Sequence, residues 1–105
     1  MIDTRFDDVL KTLSALHAKK MSDYGAEGDE YANVRASEDF GIPGWIGCVV
    51  RANDKMRRLM KAAKGGKMSN ESVEDSLEDL AVYAIIGLIL YQEDQETTCD
   101  VGDCL

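Results

Sequence analysis

Residues 71–91, ESVEDSLEDLAVYAIIGLILY, decide how the rest of the chain is read. Five of the first nine residues are acidic, and the twelve from Leu80 to Tyr91 are apolar on every side. No period-two alternation runs through the stretch, so a helix is expected rather than a strand. At ~100° per residue, Val73, Leu77, Leu80, Ala84, Leu88 and Tyr91 form one apolar stripe, the expected core face. Glu71, Asp75 and Asp79 climb a second side at i, i+4 and i+8, with Glu78 close beside them. That side continues as Val82, Ile86 and Ile89, which need cover. The carboxylates below them are therefore expected to face a cleft or protein. Ser69 or Asn70 is the expected N-cap, with Glu71 and Glu74 near the positive end of the helix dipole.

Working outward, KGGK at Lys64–Lys67 should stop the preceding helix, glycine being the usual residue past a helix end. That helix is expected from about Gly44, after the lone Pro43, to about Lys64, with Trp45, Val49, Met56, Met60 and Ala63 apolar on one side. A first helix is expected from about Asp3 to Met21, with Phe6, Val9, Leu10, Leu13 and Leu16 on one stripe. Between them lies a polar, glycine-containing loop of about twenty residues, long enough to need a job: a lid, a binding segment or a partly helical insert. QEDQETTCDVGDCL ends the chain as an acidic tail, expected to fray. The expected fold is all-α, a small bundle of three main helices in one domain over residues 1–92, with residues 93–105 a flexible tail. A chain of 105 residues buries a modest core, so completion by oligomerisation is expected.

Composition narrows the partners. A net charge of −8 and a pI near 4.5 argue against polymeric nucleic acid and anionic lipid, which need a basic field. MIDTRFDDVLKTL has no apolar signal-peptide core, and the Leu80–Tyr91 run is too short to span a bilayer. Cys48, Cys99 and Cys104 make an odd set without disulfide or zinc spacing, which fits a reducing cytoplasm. Small anionic ligands stay open, because a local cluster of bases or a bound metal overrides global charge.

Three constellations bear on chemistry. Glu71, Asp75 and Asp79 repel one another at i, i+4 spacing, and Mg²⁺ relieves such repulsion through carboxylate oxygens, waters and substrate phosphates. A solvated acidic first turn, favoured by the dipole, explains the same residues without metal. Arg51, Lys55 and Arg58, with Asp54 among them, cluster on one side of the second helix as candidate phosphate ligands. Interhelical ion pairs to Glu71, Asp75 and Asp79 are the competing role, compatible with the first. His17 and Lys20 interrupt the apolar stripe of the first helix; a boundary histidine and a lysine snorkelling to water are the plain alternatives to ligand contacts. Asp23, Tyr24 and Gly25 form a turn just beyond Lys20. Tyr24 and Trp45 are the aromatics placed to stack on a base, unless both are core. Phosphate-cradling glycine loops and a Ser-His-Asp arrangement are absent from the sequence. Hydrolysis would need metal-assisted attack by water, oriented by a spare carboxylate such as Asp23 or Asp54.

His17-x-Lys19-Lys20-x-x-Asp23-Tyr24-Gly25, Arg51-x-x-Asp54-Lys55-x-x-Arg58-Leu59 and Glu71-Ser-Val-Glu-Asp75-Ser-Leu-x-Asp79-Leu-Ala-x-Tyr83-Ala84 together resemble the phage and bacterial nucleotide-modification-associated domain family. The resemblance covers roughly residues 13–92, and the FGIPGW segment, Phe40–Trp45, is like that of small phage-encoded members. It implies an all-α fold and a link to nucleotide metabolism. A more distant likeness is to MazG-like all-α NTP pyrophosphohydrolases, whose E-x-x-E and E-x-x-D pairs on two helices hold Mg²⁺. Here the acids concentrate on one helix and the second offers only Asp54, a departure that bears on catalysis more than on nucleotide binding.

Two readings follow. In one, Glu71, Asp75 and Asp79 hold Mg²⁺, Lys20, Arg51, Lys55 and Arg58 take phosphates, Asp23 or Asp54 orients water, and Tyr24 or Trp45 contacts the base of a hydrolysed nucleotide. In the other, the same bases and aromatics, with His17, capture a nucleotide or nucleotide-derived signal without turnover, or serve in a modification complex, and the acids only position the bases.

Overall fold

A computed structural model describes residues 3–24, 31–66 and 72–100, with side chains for all of these except 20–24, 32–33 and 97–100. Helices occupy nearly all of the described residues: α1 (Arg5–Tyr24), α2 (Ala32–Arg35), a 3-10 helix (Ala36–Phe40), α3 (Gly44–Ala63) and α4 (Val73–Asp100). No strand occurs among them, so the chain is all-α, with three long helices. Part of the connection between the first and second long helices is itself helical, over residues 32–40. The chain divides into two compact units, Met1–Ala32 and Asn33–Leu105.

In the first unit α1 begins on a side-chain cap. The Asp3 carboxylate accepts the Arg5 backbone N–H at 2.9 Å, and Asp7 and Asp8 sit in the first turn, where the dipole favours them. The Arg5 guanidinium also pairs with Asp3 at 2.7 Å, which holds the Asp3 carboxyl below the usual carboxylate range. Along the predicted stripe Leu13 is buried, whereas Phe6, Val9 and Leu10 are exposed.

The second unit is built on an antiparallel hairpin of α3 and α4. α3 stops where the KGGK signal places its end: Ala63 is the last helical residue, and the N–H groups of Lys64, Gly65 and Gly66 close back on carbonyls of residues 60–62. α4 starts later than expected, its cap three residues past Ser69 and two past Asn70. Ser72 is its N-cap, its hydroxyl accepting the Asp75 N–H at 3.0 Å while the Asp75 carboxylate accepts the Ser72 N–H at 3.3 Å. This is a capping box with aspartate as the reciprocal partner. The helix also runs past Tyr91 to Asp100, through residues the sequence assigns to the tail.

The packed seam differs from the predicted one. Ser76, Ile86 and Leu90 of α4 and Cys48 of α3 are buried, with Asp79 and Tyr83 half-buried between them. Of the expected core stripe, Val73, Leu77, Leu88 and Tyr91 are more than two-fifths exposed and Ala84 is exposed, while Leu80 is half-buried. The face that packs is therefore rotated about a third of a turn from the most apolar one. Apolar side chains occupy almost every side of α4 beyond Leu80, so hydrophobicity alone does not choose among them. The two helices approach closely at Gly87 and Cys48, where a Cβ on the glycine would lie 3.3 Å from that of the cysteine.

The turn before α3 is fixed by glycines. Gly41 takes a left-handed φ of 77°, and the 3-10 helix is closed by the Gly41 N–H donating to the Glu38 carbonyl at 3.0 Å and the Ile42 N–H donating to that of Ser37 at 3.1 Å. Gly47 sits directly beneath the segment: a Cβ there would lie 2.4 Å from the Val34 carbonyl oxygen. The Ser37 hydroxyl lies 3.1 Å from the Ile42 carbonyl and 3.2 Å from that of Pro43, tying both ends of the turn together. Arg35 reaches α4 through Glu93 at 2.8 Å.

Candidate functional site

An ion pair lies in the seam of the hairpin. Lys55 Nζ lies 3.0 Å from Asp79 Oδ2, with the side chains only 16% and 19% exposed. Each sits at the packed side of its helix. The Trp45–Tyr91 contact, edge-on at 5.6 Å, marks the same antiparallel register one end further along. Lysine at this depth needs an anion, and Asp79 supplies it. The interhelical ion pair expected as one role of the helix-three acids is thus present for Asp79.

Asp75 does different work. It is exposed, and its carboxylate caps the first turn of its own helix through Ser72. Glu71, the third acid of the predicted metal set, lies outside the described residues. Among the described residues no group of three histidine, cysteine or carboxylate side chains is placed to hold one metal ion. The two described acids of the set have local partners, Lys55 for Asp79 and the Ser72 N–H for Asp75.

Arg51, Asp54 and Arg58 are exposed along one flank of α3. Trp45 is half-buried on another side: at ~100° per residue it points about 120° away from Arg51 and about 140° from Arg58. Trp45 lines an apolar groove of about 440 Å³ with Tyr83, Leu88 and Tyr91. The bases and the expected stacking aromatic are therefore not brought to one pocket within this unit.

His17 belongs to the other unit. Its ring lies 6.1 Å from that of Tyr31, with the planes 25° apart. Tyr31 sits in the polar loop, and the sequence gives no periodicity to single it out. The side chains of Lys20, Asp23 and Tyr24 lie outside the described residues, although the helix that carries them is described. Another cluster escapes the sequence pattern: Arg57, Lys61 and Lys64 surround a cavity of about 400 Å³ at the C-terminal end of α3, with Met60 and Gly66. Bases one turn apart near a helix C-terminus, followed by glycines, are the signal that could have found it.

Cys48 is buried, and burial pushes its thiol above the ordinary value of 9.0. It is a packing residue of the seam rather than a nucleophile, which would need its thiolate favoured. No helix among the described residues is long and apolar enough to cross a membrane. Comparison of the chain with family models, curated proteins and solved structures finds no match.

Proposed function

We propose that this protein captures a nucleotide or nucleotide-derived anion without turning it over, its phosphates meeting the basic flank of α3 at Arg51 and Arg58. The motifs around His17, Arg51 and Asp79 motivate the nucleotide, through the family they resemble. One observation favours binding over hydrolysis: Asp79 is committed to Lys55 at 3.0 Å, in a seam where both side chains are largely buried. A carboxylate so engaged orders a base rather than offering a ligand position to Mg²⁺. Asp75, committed to the helix cap, supports the same reading.

The test is a panel of linear and cyclic nucleotides incubated with the full chain, in Mg²⁺ and in EDTA, with bound and released species identified. The expected result is retention of one ligand in EDTA and its recovery chemically unchanged. Arg51→Glu should then weaken capture by about 10- to 100-fold, the worth of a charge-assisted hydrogen bond. Failure to retain any nucleotide would remove the reading. Turnover in Mg²⁺ that disappears in Asp79→Asn would replace it with metal-dependent hydrolysis.

A further inference from the structure

The two glycines of KGGK do different work. Gly65 takes a left-handed φ of 86° just past α3, the conformation that commonly ends a helix. Its N–H donates to the Ala62 carbonyl at 3.0 Å, and that of Gly66 to the Lys61 carbonyl at 2.9 Å, the paired bonds of a Schellman cap. Gly66 has no positive φ to adopt, yet a side chain there would have to displace that of Lys61. Its Cβ would lie 2.6 Å from Lys61 Cγ and 3.2 Å from Lys61 Cε. In a Schellman cap an apolar side chain at this position frequently closes over the residue that Lys61 occupies. Here the closing side chain is missing, and the Lys61 stem lies across the glycine instead.

Lys61 lines the cavity of about 400 Å³ with Arg57 and Lys64, beside Met60 and Gly66. That volume falls in the range of small-molecule sites, roughly 300–1,000 Å³. Arg57, Lys61 and Lys64 stand at i, i+4 and i+7, on the side of α3 opposite Cys48 and Lys55 of the seam. Like charges at this spacing repel one another. The chain has 20 acids against 12 bases to relieve them. Yet among the described residues no carboxylate lines the cavity, and none of the three bases forms an ion pair, Asp54 one turn before Arg57 included. The acids at the start of the last helix, Glu74, Asp75 and Glu78, belong to the element packed on the opposite side of α3. A helix is about 10–12 Å across, roughly a Debye length at physiological salt, so their field at the cavity is largely screened. Complementing the helix dipole accounts for a cation in the last turn, but that effect fades within the turn and does not reach Arg57.

We propose that this cavity binds a phosphate dianion, free or carried as an ester on a small molecule, with Arg57, Lys61 and Lys64 as its ligands. Arginine offers a bidentate fork to two phosphate oxygens, and the lysines add point charges. The site is separate from the flank that takes the nucleotide: neither Arg51 nor Arg58 lines it, and Arg58 points about 100° away from Arg57.

The test is a titration of the full ¹⁵N-labelled chain with inorganic phosphate, and in a second arm with ribose 5-phosphate, followed by amide NMR at constant ionic strength set with chloride. The Gly65 and Gly66 amides should shift saturably, with half-saturation at about 1 mM or below. Saturation at lower ester than phosphate concentration assigns a phosphomonoester; equal values assign free phosphate. Arg57 and Lys61 are exposed, so replacing either leaves the fold intact. Arg57→Gln and Lys61→Gln should each raise the half-saturation by about 10- to 100-fold. Gly66→Ala, which displaces the Lys61 side chain, should weaken binding in the same direction. Shifts that grow linearly with phosphate, or that chloride reproduces, overturn the proposal. So does unchanged binding in Lys61→Gln. Saturable shifts centred on Arg51 and Arg58 would also overturn it, placing the anion on the flank and leaving the nucleotide reading intact.

Discussion

Replacing Lys55 or Asp79 separates a structural ion pair from a metal ligand. The pair is 3.0 Å long and its side chains are 16% and 19% exposed, so it falls between the two well-characterised regimes. Exposed pairs contribute about 0.2–1 kcal/mol, whereas removing one partner of a buried pair costs about 3–5 kcal/mol by stranding the other charge. Residual access to water of nearly one-fifth moves the expected cost of Lys55→Met to about 2–3 kcal/mol, with the Asp79 carboxylate left in the seam. Asp79→Asn keeps a hydrogen-bonding side chain and strands the lysine, which can partly snorkel outward; about 1–2 kcal/mol is expected. Lys55→Met with Asp79→Leu leaves neither charge and should return to within about 1 kcal/mol of wild type. Urea unfolding followed by far-UV circular dichroism gives the three values, and the double-mutant cycle isolates the pair. A shift of 2 kcal/mol also corresponds to roughly 8–16 °C in Tm for a unit of this size. The reasoning fails if Asp79→Asn is as stable as wild type. It fails more informatively if Mg²⁺ raises the Tm of wild type but not of Asp79→Asn, because the carboxylate would then serve a cation.

Three further outcomes test the packing. Gly47→Ala should destabilise the chain by about 1–3 kcal/mol, since its Cβ would meet the Val34 carbonyl oxygen at 2.4 Å; a neutral effect in urea unfolding would mean the 34–37 segment does not rest on α3. Ser72→Ala should cost about 1 kcal/mol by opening the cap, whereas Ser69→Ala and Asn70→Ala should each leave stability within about 0.5 kcal/mol. Cys48, its thiol raised by burial, contributes stability that is fully present below its ordinary value of pH 9.0 and is lost as pH rises towards the folded value. Cys48→Ala should flatten that alkaline loss in a pH series of unfolding curves, and an unchanged slope would assign the loss to another group.

How much of this was legible in the sequence depends on the kind of signal. Local signals carried well: Pro43 opens α3, KGGK closes it, and the apolar periodicity places three long helices. Each depends on the backbone chemistry of a few neighbouring residues. The cap of α4 was less clear, because Ser69, Asn70 and Ser72 are all competent caps and only Ser72 has an acid three residues on at Asp75 to close the box. Which face of α4 packs was not legible. Leu80–Tyr91 is apolar all round, and an area-based argument picks the stripe with the largest side chains, Val73–Leu77–Leu88–Tyr91. The seam is made instead where small residues let the two helices approach, at Cys48 and Gly87, and where a lysine and an aspartate meet.

That inversion bears on the acidic face itself. Asp79 is drawn into the seam by Lys55, so the charges that looked like a solvated or metal-binding surface help fix the register of the hairpin. A buried pair of this kind adds little net stability over an apolar replacement, but it penalises sliding α4 by one turn, which would strand both charges. The large apolar residues Val73, Leu77, Leu88 and Tyr91 lie off that seam. Seam and stripe substitutions should therefore differ in cost: Ile86→Ala and Leu90→Ala, at buried positions, should each lose about 2–5 kcal/mol in urea unfolding, whereas Leu77→Ala, half exposed, should lose about 1 kcal/mol. Equal losses at the two sets would place the stripe, and not the seam, in the packed face.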